Sequence, residues 1–517
     1  MAKRGVPSLP LLASIASASR ARIRDFEARA CSNTPWAFAK LSVPDAPLLP
    51  AISAATLALI KDFDAQGLTN TAWSFAPLEF GHPPLLNAIS AAAIPKITAF
   101  AGQNLANPAW AYARLGIRDR PLLHAIAAAA IRSMPEFIPQ NISNTAWSYA
   151  ALSFRDGPLL AALSASARAK IIEVSCQDLS NIAWSCAALP VANGPLLEAI
   201  ASASRRNISQ ASPQNLSNTA WAFSQLALRH GTLLAAISAA AIRTKSDFRA
   251  QELSNTAWAF ATLGLEDTPL LEAIASAAIA RIAHFGPQDL SNTAWAVAAL
   301  RCRDDPLLDS IAAASRPPIA RGHLGPDNLA MPAWAFAKLC CCHAPLLPAI
   351  SAQSRRRMSD FRALNISNIA WAVAERKVRD EPLMAAISAA ALPRMPEFKA
   401  QDVSNTAWSF AKRAVRDQPL LDALSSAAIR RFGAAAAAAD DDTDVLLLSS
   451  LLWQCWRCSA PSSHLMRLLR GSRHADLMAV AFALMDAGWA SQEAQWQEAW
   501  GLIRLSNGSS GRSAGSL

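Results

Sequence analysis

The sequence predicts an all-α chain: a right-handed α-solenoid of about eleven 37-residue, two-helix repeats with a small helical C-terminal cap. Three observations predict it. Eleven of the 16 tryptophans fall on one ruler, at Trp36, Trp73, Trp110, Trp147, Trp184, Trp221, Trp258, Trp295, Trp334, Trp371 and Trp408. Every step is 37 residues except Trp295 to Trp334, which is 39. A fixed period of this size is the mark of a repeat architecture. Second, Ala dominates long stretches, while Gly (19) and Tyr (2) are scarce. That composition favours helix over sheet. Third, 52% of residues are hydrophobic and 17% charged, enough apolar surface for a large core and too little charge for wholesale disorder.

Residues 1–26 form the first element. PLLASIASASRARIRDF matches the second helix of a unit whose first helix is absent. The stretch has no acid before Asp25 and carries Arg20, Arg22 and Arg24, so it also has the composition of a transit peptide. Residues 27–432 are the repeats. In a typical unit, PQDLSNTAWAVAAL reads as helix A, with Pro213 or Pro287 as its first residue. Asn stands three before Trp in ten of eleven copies, and Gln seven before in eight. Helix B opens at a Pro eleven after Trp, where a first-turn Pro is tolerated. Two residues earlier stand the expected N-caps, including His82, Asp119, Asp156, Asn193 and Asp304. Pro35, Pro108 and Pro332 fall inside helix A. An interior Pro costs about 3 kcal/mol, so those copies are expected to kink or to start later. Beyond the repeats, 433–443 reads as an Ala/Asp linker, 444–505 as a helical cap and 506–517 as a disordered tail.

On a wheel of 100° per residue, helix A has two faces. The Leu five before Trp, the Ala just before it, the Phe two after and the Leu five after make the core side. The Gln seven before, the Asn three before, the Ala or Ser one after and the residue four after make a separate stripe. The residue four after Trp varies most: Lys40, Pro77, Arg114, Ala151, Ala188, Gln225, Thr262, Ala299, Lys338, Glu375 and Lys412. A constant frame with one variable site per unit suits a modular reader of single-stranded RNA, in which each helical repeat takes one base. The candidate contacts are Asn33, Asn70, Asn107, Asn144, Asn181, Asn218, Asn255, Asn292, Asn368 and Asn405, with Lys40, Arg114, Gln225, Thr262, Lys338 and Lys412. Each series also has a plainer reading. The Trp rings would pack between neighbouring units, the Asn amides would bond backbone between units, and the variable residues would be solvated surface.

Lys plus Arg exceeds Asp plus Glu by 48 to 38, giving +10, which suits a polyanionic partner. No run of 18 uncharged apolar residues occurs, so no membrane span is expected. The nine cysteines are irregularly placed and read as free thiols. Cys340, Cys341, Cys342 and His343 are contiguous and lack a metal-ligand spacing. Cys455 and Cys458 have no second pair, and Asp440, Asp441 and Asp442 suit a helix N-terminus. No nucleophile, P-loop or dinucleotide motif appears. The expectation is a protein without catalysis, cofactor, metal or small-molecule substrate.

The recurring LSNTAWAFAxLxxxDxPLL, as in Leu290-Ser291-Asn292-Thr293-Ala294-Trp295-Ala296, resembles the helical repeats of algal and protist organellar RNA-binding proteins, the octotricopeptide-repeat family and its relatives. The similarity covers residues 10–432. The family's Pro-Pro-Glu-Trp stretch and a following RAP domain are absent. The resemblance implies RNA processing, stability or translation in chloroplast or mitochondrion. The alternative is a protein-binding scaffold, because armadillo and HEAT arrays hold peptides on the same architecture.

Overall fold

In a computed structural model the described residues are 8–191, 193–322, 324–341, 343, 345–376, 378 and 380–435. They are helical, with no strand among them. The proposed linker, cap and tail, Cys342, and the Cys455, Cys458 and Asp440–Asp442 motifs lie outside them. Contacts group the chain into two compact units, Met1–Arg281 and Ile282–Leu517.

The first unit opens with a B helix, Leu9–Ala21, and no A helix before it among the described residues. Its A helices are Ala28–Lys40, Ala65–Phe75, Gly102–Arg114, Pro139–Ala151, Cys176–Ala188, Pro213–Gln225 and Ala250–Thr262. They alternate with B helices Leu48–Leu59, Pro83–Ala93, Arg120–Ser133, Gly157–Ala169, Gly194–Arg206, Gly231–Arg243 and Thr268–Arg281. The second unit alternates A helices Pro287–Ala299, Pro326–Lys338, Ala363–Glu375 and Ala400–Lys412 with B helices Asp305–Ala320, Leu346–Arg356, Glu381–Arg394 and Gln418–Ala435. Within each unit A packs on A and B on B in chain order, as an α-solenoid requires.

Local chemistry sets the boundaries. Pro213 and Pro287 are first helical residues, and Asp119, Asp156, Asn193 and Asp304 accept from the N–H three residues on, as N-caps. His82 and His230 do the same through Nδ1. His343 departs from the pattern: its Nδ1 is buried without a partner. Among the described residues, A helices end in a left-handed residue six after their Trp, at Ser42, Glu79, Gly116, Ser153, Ala227, Gly264, Arg301, Cys340 and Ala414 among others. The next N–H then reaches back to the carbonyl two after Trp, as Ile117 does to Tyr112 at 2.8 Å. This is a Schellman termination, mostly without glycine.

The core side of helix A matches the wheel. Leu105, Leu216, Leu290, Ala109, Ala220, Phe223 and Phe336 are all buried. A short 3-10 turn follows most B helices and was not foreseen. It delivers Phe63, Phe137, Phe248, Phe361 and Phe398 into the core. Tyr112 and Tyr149 send buried hydroxyls to the Leu86 and Leu123 carbonyls of the preceding B helix. Burial, with Asp119 or Asp156 nearby, pushes both phenols well above their usual range.

The late start expected of the proline-bearing helices is corrected. Ala28–Lys40, Gly102–Arg114 and Pro326–Lys338 each run 13 residues with Pro35, Pro108 or Pro332 inside. They neither stop nor start late. A Pro two before Trp frees the carbonyl six before Trp, and the preceding repeat satisfies it. Thr69 Oγ1 donates to the Asn104 carbonyl at 3.3 Å, and Ser291 Oγ shares its proton between the Pro287 carbonyl of its own helix at 2.8 Å and the Asn328 carbonyl at 3.4 Å.

Candidate nucleic-acid interface

Neighbouring A helices meet through small residues, so they approach closely. The Ser or Thr four before Trp, the Ala just before it and the Ala or Ser one after are buried in nearly every copy. B helices make much sparser contact with each other than A helices do. The A row is therefore the tight, inner row of each unit, and the open stripe of helix A runs along it.

That stripe differs from the expected one at one position. The Ala or Ser one after Trp is buried from Ser74 onward, wherever an A helix precedes its own, and Ser74, Ser148, Ser185 and Ser409 donate to the carbonyl of the Asn of their own repeat. A hydroxyl that close to its own helix backbone faces the packed side. The Trp takes its place on the stripe. Gln seven before, Asn three before, Trp and the residue four after follow i, i+4, i+7, i+11, one exposed row on a helix.

All eleven tryptophans are half-buried, and in each unit some successive rings face one another, stacked or tilted. Ring centroids are 6.3 Å apart for Trp73–Trp110, 6.4 Å for Trp147–Trp184 and 6.2 Å for Trp184–Trp221. In the second unit Trp334–Trp371 is 6.4 Å and Trp371–Trp408 is 6.3 Å. These distances lie in the range of favourable ring pairs. The expectation that the Trp series packs between units holds, but one side of the ladder is open.

The Asn series does not bridge units. Asn33 is exposed, and Asn70, Asn107, Asn144, Asn181, Asn218, Asn255, Asn292, Asn368 and Asn405 are half-buried beside the ladder. Asn405 accepts from Gln401 Nε2 at 2.8 Å. Among the described residues the other side-chain amides make no hydrogen bond. The bridging between repeats falls instead to the Ser four before Trp and the Asp or Asn six before the next Trp. Ser143 donates to Asp178, Ser367 to Asp402 at 2.8 Å, and Asn215 Nδ2 to Ser180 Oγ at 3.2 Å. These pairs lie 35 residues apart. The 37-residue period implies such rungs, but nothing in one unit alone marks them.

The variable position splits into free and engaged groups. Lys40, Arg114, Gln225 and Thr262 are exposed, while Lys338 and Lys412 are half-buried. Lys40 Nζ lies 5.3 Å from the Trp73 ring, Lys338 Nζ 4.5 Å from Trp334 and Lys412 Nζ 4.1 Å from Trp408. Lys412 also pairs with Glu375 at 2.6 Å, so the variable residues of two successive repeats engage each other. Burial, with Arg301 nearby, holds the Lys338 ammonium below its usual range. Thr262 Oγ1 donates to the Trp258 carbonyl at 2.9 Å.

Some of the basic excess is structural. Lys96, Lys170, Arg281, Arg357 and Arg394, fourteen residues before their tryptophans, donate to carbonyls of the preceding repeat's connection. Lys170 Nζ reaches the Pro135 carbonyl at 2.9 Å and that of Phe137 as well. Exposed arginines eight after Trp, at Arg118, Arg155, Arg229, Arg303 and Arg416, line the A–B loops. Among the described residues no three His, Cys, Asp or Glu side chains gather as a metal site, and no helix is long and apolar enough to cross a membrane.

The family described as RNA-editing substrate-binding complex 6 protein has a model that matches residues 3–120, 93–268 and 173–381. Overlapping matches are what a repeated unit produces when it aligns in several registers. No curated protein matches the chain. Among solved structures, a homology model of the full-length AP-3 complex in an intermediate open conformation is similar over 94% of this chain and 90% of that one. Identity is 11% and the TM-score 0.36, a likeness too low to inform function.

Proposed function

Because the chain belongs to the RNA-editing substrate-binding complex 6 protein family, we propose that it is a non-catalytic protein that binds single-stranded RNA along the open stripe of its A helices. One observation carries the reading: Asn amides, all but that of Asn405 without a hydrogen bond among the described residues, recur in ten of the eleven repeats beside tryptophan pairs 6.2–6.4 Å apart. That spacing is nearly twice the stacking rise of about 3.4 Å per base. Bases held one per repeat are therefore pulled off one another, and their faces and edges open to protein. The constant Asn amide suits the constant part of the polymer, ribose 2′-OH and phosphate. The residue four after Trp suits the part that varies. The A–B loop arginines supply charge at one edge of the stripe. Each unit takes part through its own repeats, in the octotricopeptide-like manner, one nucleotide per repeat. We place this role in RNA processing within an organelle, and the family favours the mitochondrion over the chloroplast.

A titration of the full chain against single-stranded RNA, matched DNA and duplex RNA tests the reading. Preference for single-stranded RNA, with affinity falling steeply as salt rises, is the expected result. Salt-insensitive binding without preference refutes it. One observation favours a peptide instead: only Lys40 and Arg114 among the seven variable positions of the first unit are cationic. Two residues of an extended peptide also span about 6.6 Å. Partners retained after nuclease treatment, with no RNA affinity, would select that scaffold reading.

A further inference from the structure

The variable positions of the first unit are not alike in chemistry, and their order has a consequence. Arg114 and Gln225 stand three repeats apart on the A helices Gly102–Arg114 and Pro213–Gln225, and both are exposed. Arg114 meets only Glu79, at 4.0 Å, with both side chains more than half exposed. Such a surface pair is weak, so the guanidinium fork is available. The Gln225 amide has no bond among the described residues. Between them the same position is Ala151 and then Ala188, which offer no donor and no acceptor.

We infer that the first unit reads a spaced pair of purines, guanine at Arg114 and adenine at Gln225, with two unread nucleotides between them. The chemistry follows from the base edges. A guanidinium fork donates two parallel hydrogen bonds to the O6 and N7 acceptors of guanine. A primary amide matches the N6 donor and N7 acceptor of adenine. Ala151 and Ala188 leave their bases to the Trp147 and Trp184 rings and the common Asn amide. Those contacts accept any base, because every base has a π-face. The expected motif is therefore G-N-N-A or A-N-N-G, according to the direction in which the strand lies. This inference rests on the RNA reading above and adds its sequence preference.

The test is selection from a random single-stranded RNA pool by the full chain and by the exchanges Arg114→Gln and Gln225→Arg. Both positions are exposed, so thermal melts of the variants should overlay the parent. The parent should enrich guanine and adenine separated by two indifferent positions, each preferred on the order of ten-fold. Arg114→Gln should turn the guanine into adenine, and Gln225→Arg the adenine into guanine, each leaving the other position alone. RNA bound with no such spaced pair, or a preference that survives the exchanges, overturns the inference while RNA binding stands. Failure to retain any RNA overturns both.

Discussion

Replacing Gly116 with Ala isolates the cost of the left-handed residue that ends its A helix. Gly116 has φ +68°, and a Cβ built there meets nothing within 4 Å. No clash, cavity or lost bond confuses the result. The left-handed conformation costs an L-residue roughly 1–2 kcal/mol. Removing a glycine returns about 0.4–1 kcal/mol through the unfolded chain. The net expectation is a destabilisation of about 1 kcal/mol. The mirror exchange is available at Ala227, which holds φ 54° at the same position of another repeat. Ala227→Gly should stabilise by a similar amount. Urea titration followed by circular dichroism would measure both, with hydrogen exchange at Ile117 and Leu228 reporting each termination locally. The Gly116→Ala variant should lose protection at Ile117, whose N–H closes the termination on the Tyr112 carbonyl at 2.8 Å. Two shifts of the same sign, or none beyond about 0.3 kcal/mol, would refute the account of how these helices stop.

Other outcomes follow from the interface and the rungs. Trp184→Ala removes stacks on both sides, at 6.4 Å and 6.2 Å, and should cost about 2–3 kcal/mol in a urea titration. Asn218→Ala should leave stability within about 0.5 kcal/mol yet weaken single-stranded RNA in the same binding titration. Ser367→Ala strips a 2.8 Å bond from the buried Asp402 carboxylate and should cost about 2 kcal/mol by chemical denaturation. Burial pushes the Cys186 thiol up to about 11 from an ordinary 9.0. The folded state then holds its proton more tightly than the unfolded one. This contribution is complete below pH about 9 and falls by about 1.4 kcal/mol per unit as pH rises toward 11. Melts of the parent and of Cys186→Ala between pH 8 and 11 should converge accordingly.

The repeat, its two helices and its core side were legible because each rests on local signals that recur: the Trp ruler, a capping residue before Pro, and apolar positions at helical spacing. The Trp itself was harder to place. It lies between the open and packed sides of the wheel, beside the neighbouring units. Only the stacking of Trp147 on Trp184 shows that a ring can be packed and open at once. The hydroxyl one residue later looked solvent-facing, yet Ser148 and Ser185 bond their own helix, since the neighbouring A helix leaves no room for water there. The rungs from Ser143 to Asp178 and from Ser367 to Asp402 were invisible, because they pair different positions of successive units. The basic excess was legible only as a sum. Lys170 and Arg357 spend their charge on carbonyls of the preceding repeat, and no count of charges separates them from Arg114.

A proline repeat cannot stand behind the Pro108 or Pro332 repeat without loss. Pro108 leaves the Asn104 oxygen to Thr69, and Pro332 leaves the Asn328 oxygen to Ser291. Where those donors stand, the proline repeats themselves carry Ala106 and Ala330, and neither can serve the next unit. Shuffling or duplicating blocks of 37 residues is therefore directional: a proline block inserted behind the Pro108 or Pro332 block would leave an oxygen without that donor, whereas behind the Pro35 block it would meet Ser32. The order of blocks along the chain obeys a neighbour rule that no single block contains.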